Sequence, residues 1–342
     1  MSNPTPPAAV RELRDVSPAR FRDEILPAQQ PVILRGAVAA WPAVRAGRES
    51  PHAMANYLRA LDNGTPTDTM IGPPSIGGRF FYNDDISGLN FERRPQRVSE
   101  SLDRFMQLLD HPDPEALYVG AVPTPLTLPA FTRDNPMPFI DPAIVPRVWM
   151  SNRVTVQTHY DLSDNIACVV AGRRRFTLFP PEQIVNLYVG PLEFTLAGQP
   201  ISMVRLEQPD FERFPRFREA QGFMQVAELE PGDALFVPYM WWHHVESREK
   251  FNVLVNYWWS EVPLWQGSPF EALLHAIMSV KSLPPEKRAI WRTVFEHYIF
   301  QGGGDPVAHL TPRQQGIQGP AAPQIADLIR RQLVHLLSNR RR

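Results

Sequence analysis

Thr158-His159-Tyr160-Asp161 lies within a series of short β-branched and aromatic runs: Val148 to Val156, Ile166 to Ala171, and Arg174 to Phe179, the last two parted by Gly172. Phe223 to Leu229, Ala234 to Val237 and Phe251 to Trp259 continue the series, and Pro231-Gly232-Asp233 is a turn that launches one of them. Runs of this length, spaced by turn residues, predict a β-sandwich or barrel over residues 146–259. The loop-rich stretch between Pro180 and Phe223 is expected to cover one end of it.

On the N-terminal side the pattern is mixed. Residues 1–14 read as an unstructured tail, polar and Pro-rich at its start. Ser17-Pro18 opens a short helix, because Ser accepts backbone N–H bonds at the cap and Pro fits the first turn. Pro31-Val32-Ile33-Leu34-Arg35-Gly36 reads as a buried strand ended by glycine. Residues 52–61 and 99–109 carry helical apolar spacing, for example Leu102, Phe105, Met106 and Leu109. Between them a Pro/Gly loop, Gly72 to Gly78, precedes Phe80-Phe81-Tyr82, read as a strand. Past Pro263 the period becomes helical. Ser268-Pro269-Phe270-Glu271 has the form of a capping box. Leu273, Leu274, Ile277 and Met278 make one apolar side, and Ile290, Val294, Phe295 and Tyr298 a second, closed by Gly302-Gly303-Gly304. Ile325, Leu328, Ile329, Leu333, Leu336 and Leu337 form a third amphipathic stripe before Arg340-Arg341-Arg342, read as a solvated tail. The division expected is therefore 1–14 tail, 15–262 β-rich domain and 263–342 helical region.

Composition sets bounds on the rest. With 35 Lys plus Arg against 36 Asp plus Glu, the charge balance favours neither nucleic acid nor an anionic membrane as partner. The 37 prolines fit loops and sharp strand ends rather than long helices. A single cysteine, Cys168, excludes an intrachain disulfide and points to a reducing, cytoplasmic setting. No apolar stretch is long enough to span a bilayer, and the start lacks the features of a signal peptide.

In a strand, residues i and i+2 point the same way, so His159 and Asp161 present an imidazole and a carboxylate to one point. A second imidazole from a later strand would complete the two-His, one-carboxylate set that suits non-haem Fe(II) oxygen chemistry and leaves positions open for an oxo-acid and O2. Trp241-Trp242-His243-His244-Val245 offers two candidates, and alternation allows only one of them to be the ligand. Arg174 shares a strand face with Phe176 and Leu178, where a cation is costly unless an anion pairs it. A bound carboxylate would do so, gripped by the guanidinium fork. Arg173 and Arg175 fall on the opposite face. Asn256 is a polar amide within an apolar strand.

These residues carry a resemblance. His159-Tyr160-Asp161, Asn165, Gly172-Arg173-Arg174-Arg175 and Leu178-Phe179-Pro180-Pro181 resemble the cupin-like JmjC oxygenases, in particular those similar to the factor-inhibiting-HIF asparaginyl hydroxylase. Pro231-Gly232-Asp233, Trp241 to Ser247, Asn256-Tyr257-Trp258, Pro31 to Gly36 and Trp41-Pro42 extend it in the same order, over residues 15–260. The resemblance implies a mainly β fold, a double-stranded β-helix (jelly roll) with an N-terminal α/β elaboration and C-terminal helices. It implies Fe(II), 2-oxoglutarate and O2 as cofactor and co-substrates, with His159, Asp161 and His243 as the metal ligands. Arg174 falls where the family usually has a lysine for the distal carboxylate of 2-oxoglutarate. Asn165, Asn256 and Tyr118 match positions around that co-substrate. Val156 replaces a threonine there, for which Thr155 or Thr158 is the candidate to compensate. Trp258 matches a tryptophan near the iron, and Tyr160, Trp242 and Trp258 are the expected substrate wall. Gly120 and Ala167 differ from the asparaginyl hydroxylase, so the substrate is left open: an amino-acid side chain in a peptide or protein, or a small metabolite. The C-terminal helices lie where that relative dimerises, which implies a homodimer. The competing readings are a Zn- or Mn-dependent isomerase cupin, which would need a second His and a Glu nearby, and a non-catalytic binding module.

Overall fold

The computed structural model describes residues 6–339, within which strands β1 (Ala8–Ala9), β2 (Arg11–Arg14), β3 (Val32–Arg35), β4 (Thr67–Gly72), β5 (Glu92–Gln96), β6 (Ala116–Pro123) and β7 (Pro146–Ser151) come first. They are followed by β8 (Thr155–His159), β9 (Asp164–Ala171), β10 (Arg174–Phe179), β11 (Gln225–Leu229), β12 (Ala234–Val237), β13 (Trp242–Ser247) and β14 (Asn252–Trp259). Two sheets result, in the orders β1-β11-β10-β13-β8 and β2-β3-β12-β9-β14-β7-β6-β4-β5. This is the expected mainly β jelly roll, with helices at both ends of the chain.

Alternation along β9 explains how the layers are built. Ile166, Cys168 and Val170 face one way, into a core shared with Phe21, Val44, Met54, Leu58, Leu102 and Phe105. Those residues come from the N-terminal elements that cover the outer face of the larger sheet. Ala167 and Val169 face the other way, into the space between the sheets, with Phe176, Leu178, Leu235, Val245 and Leu254. Both faces of β9 are buried, which is why its sequence reads as one continuous apolar run. The β9–β10 turn sets the start of β10 and depends on Gly172. Its φ is +72°, and a Cβ there would lie 2.3 Å from Asn252 Oδ1.

Several expectations need correction. Residues 8–14 are not a tail. Ala8–Ala9 pairs in parallel with β11 and Arg11–Arg14 in parallel with β3, while Val10 between them is buried in the inter-sheet core. One apolar side chain thus pins a short polar segment to the edges of both sheets; residues 1–5 lie outside the described residues, as does the Arg340–Arg342 tail. The run Val148 to Val156 is two strands, not one. Asn152 breaks it, accepting from Leu117 N at 3.0 Å and donating to Glu115 O at 2.7 Å. Phe80-Phe81-Tyr82 is an irregular segment with isolated bridges only, Tyr82 to Leu89 and Arg79 to Thr155. The helix Pro42–Glu49 and strand β13 were not expected as such.

A second compact unit begins at Glu261, close to the expected boundary. It contains helices Pro269–Ser279, Pro285–Phe295, which continues as a π-helical turn through Phe300, and Pro323–Ser338. Ser268 caps the first by accepting from Phe270 N at 3.2 Å. Leu273, Leu274, Met278, Ile290, Trp291, Leu333 and Leu337 are exposed. Among the described residues no helix is long and apolar enough to cross a membrane.

Candidate metal centre

β8 and β13 are antiparallel neighbours, and His159 stands directly opposite His243. Their ring centroids are 4.2 Å apart. Asp161 follows two residues after His159, and the β12–β13 turn is tied to it: Met240 N–H donates to Asp161 O at 3.1 Å, and Tyr239 N–H to Asp164 Oδ1 at 3.0 Å. Met240 accepts a left-handed φ of +59° to make this turn. Backbone carbonyls orient both rings: Nδ1 of His159 bonds Gln157 O at 2.8 Å, and Nδ1 of His243 bonds Trp241 O at 2.9 Å. The Nε2 atoms are thereby left for a ligand, and His243 Nε2 lies 3.6 Å from Asp161 Oδ2. One ligand atom from each of the three residues lies within 4.8 Å of the other two. Trp258 Nε1–H donates to Asp161 Oδ2 at 3.1 Å and so holds the carboxylate's rotamer. Burial, then the neighbouring His243, pushes the His159 imidazole well below its usual range. The ring is therefore neutral, the form that ligates a metal. This donor set, two imidazoles and one carboxylate on one side, fits a divalent iron with open positions.

Of the paired histidines, His243 alone falls in this group. His244 faces away from the centre, with Nδ1 3.2 Å from Thr158 Oγ1 and Nε2 3.2 Å from Glu207 Oε1.

The family described as "Cupin-like domain" matches residues 18–264. The chain belongs to that family. Among curated proteins it is 39% identical over 106 residues to the tRNA wybutosine-synthesizing protein 5 of Gallus gallus, covering 31% of this chain and 30% of that one. It is 38% identical over 112 residues to the lysine-specific demethylase JMJ31 of Arabidopsis thaliana, 32% of this chain and 20% of that one. It is 40% identical over 94 residues to the HSPB1-associated protein 1 of Homo sapiens, 28% of this chain and 19% of that one. The aligned part thus spans less than a third of the length of each of these relatives.

In this cupin-like domain the triad opens into a cavity of about 650 Å³ between the sheets. That is within the roughly 300–1,000 Å³ usual for small-molecule sites. Tyr118, Asn165, Ala167, Arg174, Phe176, Val245, Leu254, Asn256 and Trp258 line it, so Tyr118, Asn165, Arg174 and Asn256, the four residues expected around a co-substrate, converge there with His159, Asp161 and His243. Arg174 is 1% exposed, and its Nε and Nη2 have no hydrogen-bond partner. Burial lowers its guanidinium to about 10, against a pull upward from Tyr118. Burial raises the Tyr118 phenol, with Arg174 and Asp161 acting on it in opposite directions. Asn256 accepts from Trp149 Nε1 at 2.7 Å and donates to Asn165 Oδ1 at 3.3 Å, so the two amides are locked together on the wall. Arg173 and Arg175 lie on the outer face, paired with Glu249 and with Glu228 and Glu246.

Tyr160 and Trp242 do not line the cavity. Their rings pack edge to face at 4.7 Å in a separate cluster with Phe179, Leu187, Val204 and Phe217. Alternation is the reason: each is adjacent to a ligand and so points the opposite way. Thr158 points that way too, and Thr155 is also outside the cavity; Val156 lines it without a compensating hydroxyl. Sequence reasoning missed Trp149, Met70, Phe80, Phe91, the Asp68–Arg93 pair and the 195–199 loop, all of which border the cavity. Trp149 could have been found by alternation on β7, since its neighbours Val148 and Met150 face the other core. The others sit on irregular backbone or on strands remote in sequence, with no periodic signal.

Proposed function

We propose that this protein is an Fe(II)- and 2-oxoglutarate-dependent oxygenase that hydroxylates a C–H bond, in an amino-acid side chain of a peptide or protein or in a small metabolite. The observation that carries this reading is Arg174, a fully buried guanidinium with two unpartnered nitrogens in the same cavity as a His-Asp-His cluster. A buried cation of this kind calls for an anion, and a dicarboxylate that also chelates the metal supplies one. His159, Asp161 and His243 would hold the metal, and Arg174 with Tyr118 the distal carboxylate. When bound, Fe(II) with 2-oxoglutarate and O2 supplies the chemistry R–H + 2-oxoglutarate + O2 → R–OH + succinate + CO2. The chain's own part is to orient and to keep water out. Trp258 fixes Asp161, Asn165 and Asn256 form a rigid polar wall, and Phe176, Val245 and Leu254 make an apolar lining. The isomerase reading is disfavoured because, among the described residues, the metal-binding group contains no further His or Glu.

The test is the visible charge-transfer absorption that forms when Fe(II) and 2-oxoglutarate are added to apo-protein without oxygen. The expected band appears in the wild type and is absent in His159→Ala. A folded, metal-loaded wild type without the band would overturn the co-substrate assignment.

We also propose that the C-terminal unit mediates homodimerisation. The support is the apolar exposure of Leu328, Leu333, Leu336 and Leu337 on one helix, beyond what an isolated helical cap needs. Leu333→Glu with Leu337→Glu is expected to give monomers by light scattering; an unchanged mass would remove this interface.

A further inference from the structure

The outer part of the cavity has a composition that the metal and co-substrate do not use. Met70 on β4, Phe80, Leu89 and Phe91 from the segment before β5, and Leu196 and Ile201 from the loop across the mouth belong to one apolar cluster with Tyr118 and Trp149. The loop is closed over this chamber by side-chain donors to its carbonyls: Tyr82 Oη–H to Phe194 O at 2.5 Å, and Arg93 Nη2–H to Leu196 O.

Among the described residues, every charge that lines the cavity already has a role. Arg174 faces the co-substrate position, and Asp161 belongs to the metal cluster. Asp68 and Arg93, at the mouth, form an ion pair with each other. Arg93 also sits 5.9 Å from the Phe91 ring, so the aromatic wall nearest the mouth already has a cation beside it. Gln157 is spent: its Nε2 donates to Ser202 O and Val204 O at 2.7 and 2.8 Å, and its Oε1 accepts from Arg79. Thr195 Oγ1 accepts from Gly198 N at 2.8 Å. What remains is neutral: the Gln199 amide can serve a backbone-like group, but it cannot neutralise a charge.

From this lining we infer that the group placed against the metal is an uncharged, apolar side chain, aliphatic or aromatic, and not an ammonium or a carboxylate. The inference rests on the oxygenase reading above and specifies its substrate class. A charged group in this chamber would be desolvated with no counter-charge free to meet it, and a cation would also meet Arg93. An aliphatic or aromatic group loses nothing and gains contact with the Met70, Phe80, Phe91 and Leu196 surfaces. The reaction is the balanced one given above, with R–H the C–H bond of that side chain.

The experiment uses the full chain loaded with Fe(II) and 2-oxoglutarate and a set of capped peptides identical except at one central position. That position carries Leu, Ile, Phe, Met, Asp, Lys or trimethyl-lysine. Succinate release is read in air, and the perturbation of the Fe(II)–2-oxoglutarate absorption band is read without oxygen. Expected are a change of the band and at least tenfold greater succinate release with Leu, Ile, Phe or Met than with the charged peptides. Greater response to Lys, trimethyl-lysine or Asp overturns the inference, and so does a response to none of the set while the band itself forms. Absence of the band before any peptide is added overturns the oxygenase reading instead. Met70→Glu supplies a second arm, since it puts a free carboxylate in the chamber. It is expected to lower the response to Leu and raise that to Lys at least tenfold each; unchanged selectivity in a folded variant would remove the chamber from substrate recognition.

Discussion

Replacing Arg174 by Met should make the protein more stable without 2-oxoglutarate and unable to gain stability from it. Arg174 is charged at neutral pH in both folded and unfolded chains, but in the folded chain burial lowers its guanidinium to about 10. That depression corresponds to a penalty of about 3 kcal/mol on the folded state. The sign follows from the direction: a base whose folded value is depressed binds protons more readily when unfolded. The penalty is then fully present below about 10 and is relieved only as pH rises above it toward the ordinary guanidinium range. Met keeps an unbranched chain and drops the charge and the two unpartnered nitrogens. Up to about 3 kcal/mol is recoverable, which for a unit of this size raises Tm by roughly 4–10 °C. The wild type should behave in the opposite way on adding co-substrate, gaining about 2.7 kcal/mol at a hundredfold excess over Kd. The variant loses about 2–5 kcal/mol of that binding, because one partner of a buried charge pair is gone. Anaerobic calorimetry of both proteins at pH 7.5, with and without 2-oxoglutarate, gives four transition temperatures. A variant less stable than wild type would mean that the guanidinium is satisfied within the fold. A variant still stabilised by 2-oxoglutarate as strongly as wild type would mean that the anion binds elsewhere. Either result refutes the argument.

Trp258→Phe removes the donor to Asp161 Oδ2 while keeping a ring in place, and is expected to weaken metal binding by about 10–100-fold with the fold intact, as read by metal titration. Gln157→Glu sets a carboxylate oxygen against Ser202 O and Val204 O, where an amide donated. About 1–3 kcal/mol should be lost for each carbonyl left unsatisfied, and amide exchange should quicken across residues 195–204. Gly172→Ala should lower stability by more than 1 kcal/mol in denaturant titration, because the left-handed φ of +72° and the approach of Asn252 Oδ1 both oppose a Cβ; an unchanged midpoint would mean that the turn relaxes at no cost.

How much of this was legible in the sequence depends on periodicity. His159, Asp161 and Arg174 could be placed because they lie on or beside strands, where alternation tells which residues share a side. The same rule, applied to the neighbours Tyr160 and Trp242, would have moved them off the substrate wall before any coordinates were known. Their aromatic character argued for a pocket, but their position next to a ligand argued against one, and position decided. The opposite orientations of His243 and His244 show the same alternation, although which of them is the ligand could not be read from spacing. The family resemblance implied His243, and in the register of β13 against β8 it is His243 that stands opposite His159, ahead of a bulge before Val245.

The outer chamber was illegible for a different reason. Phe80, Phe91, Leu196 and Ile201 come from segments whose backbone is irregular, so neither a period of two nor one of 3.6 marks them. They meet because Tyr82 and Arg93 bind carbonyls of a loop more than a hundred residues further along the chain. Hydrogen bonds from side chain to distant backbone leave no pattern in a single sequence. The chemistry of the centre, carried by alternating strand residues, is therefore readable from the chain alone. The choice of substrate is carried by loops clipped together at the mouth, and it becomes arguable only once those clips are seen and the charges around them have been matched with their partners.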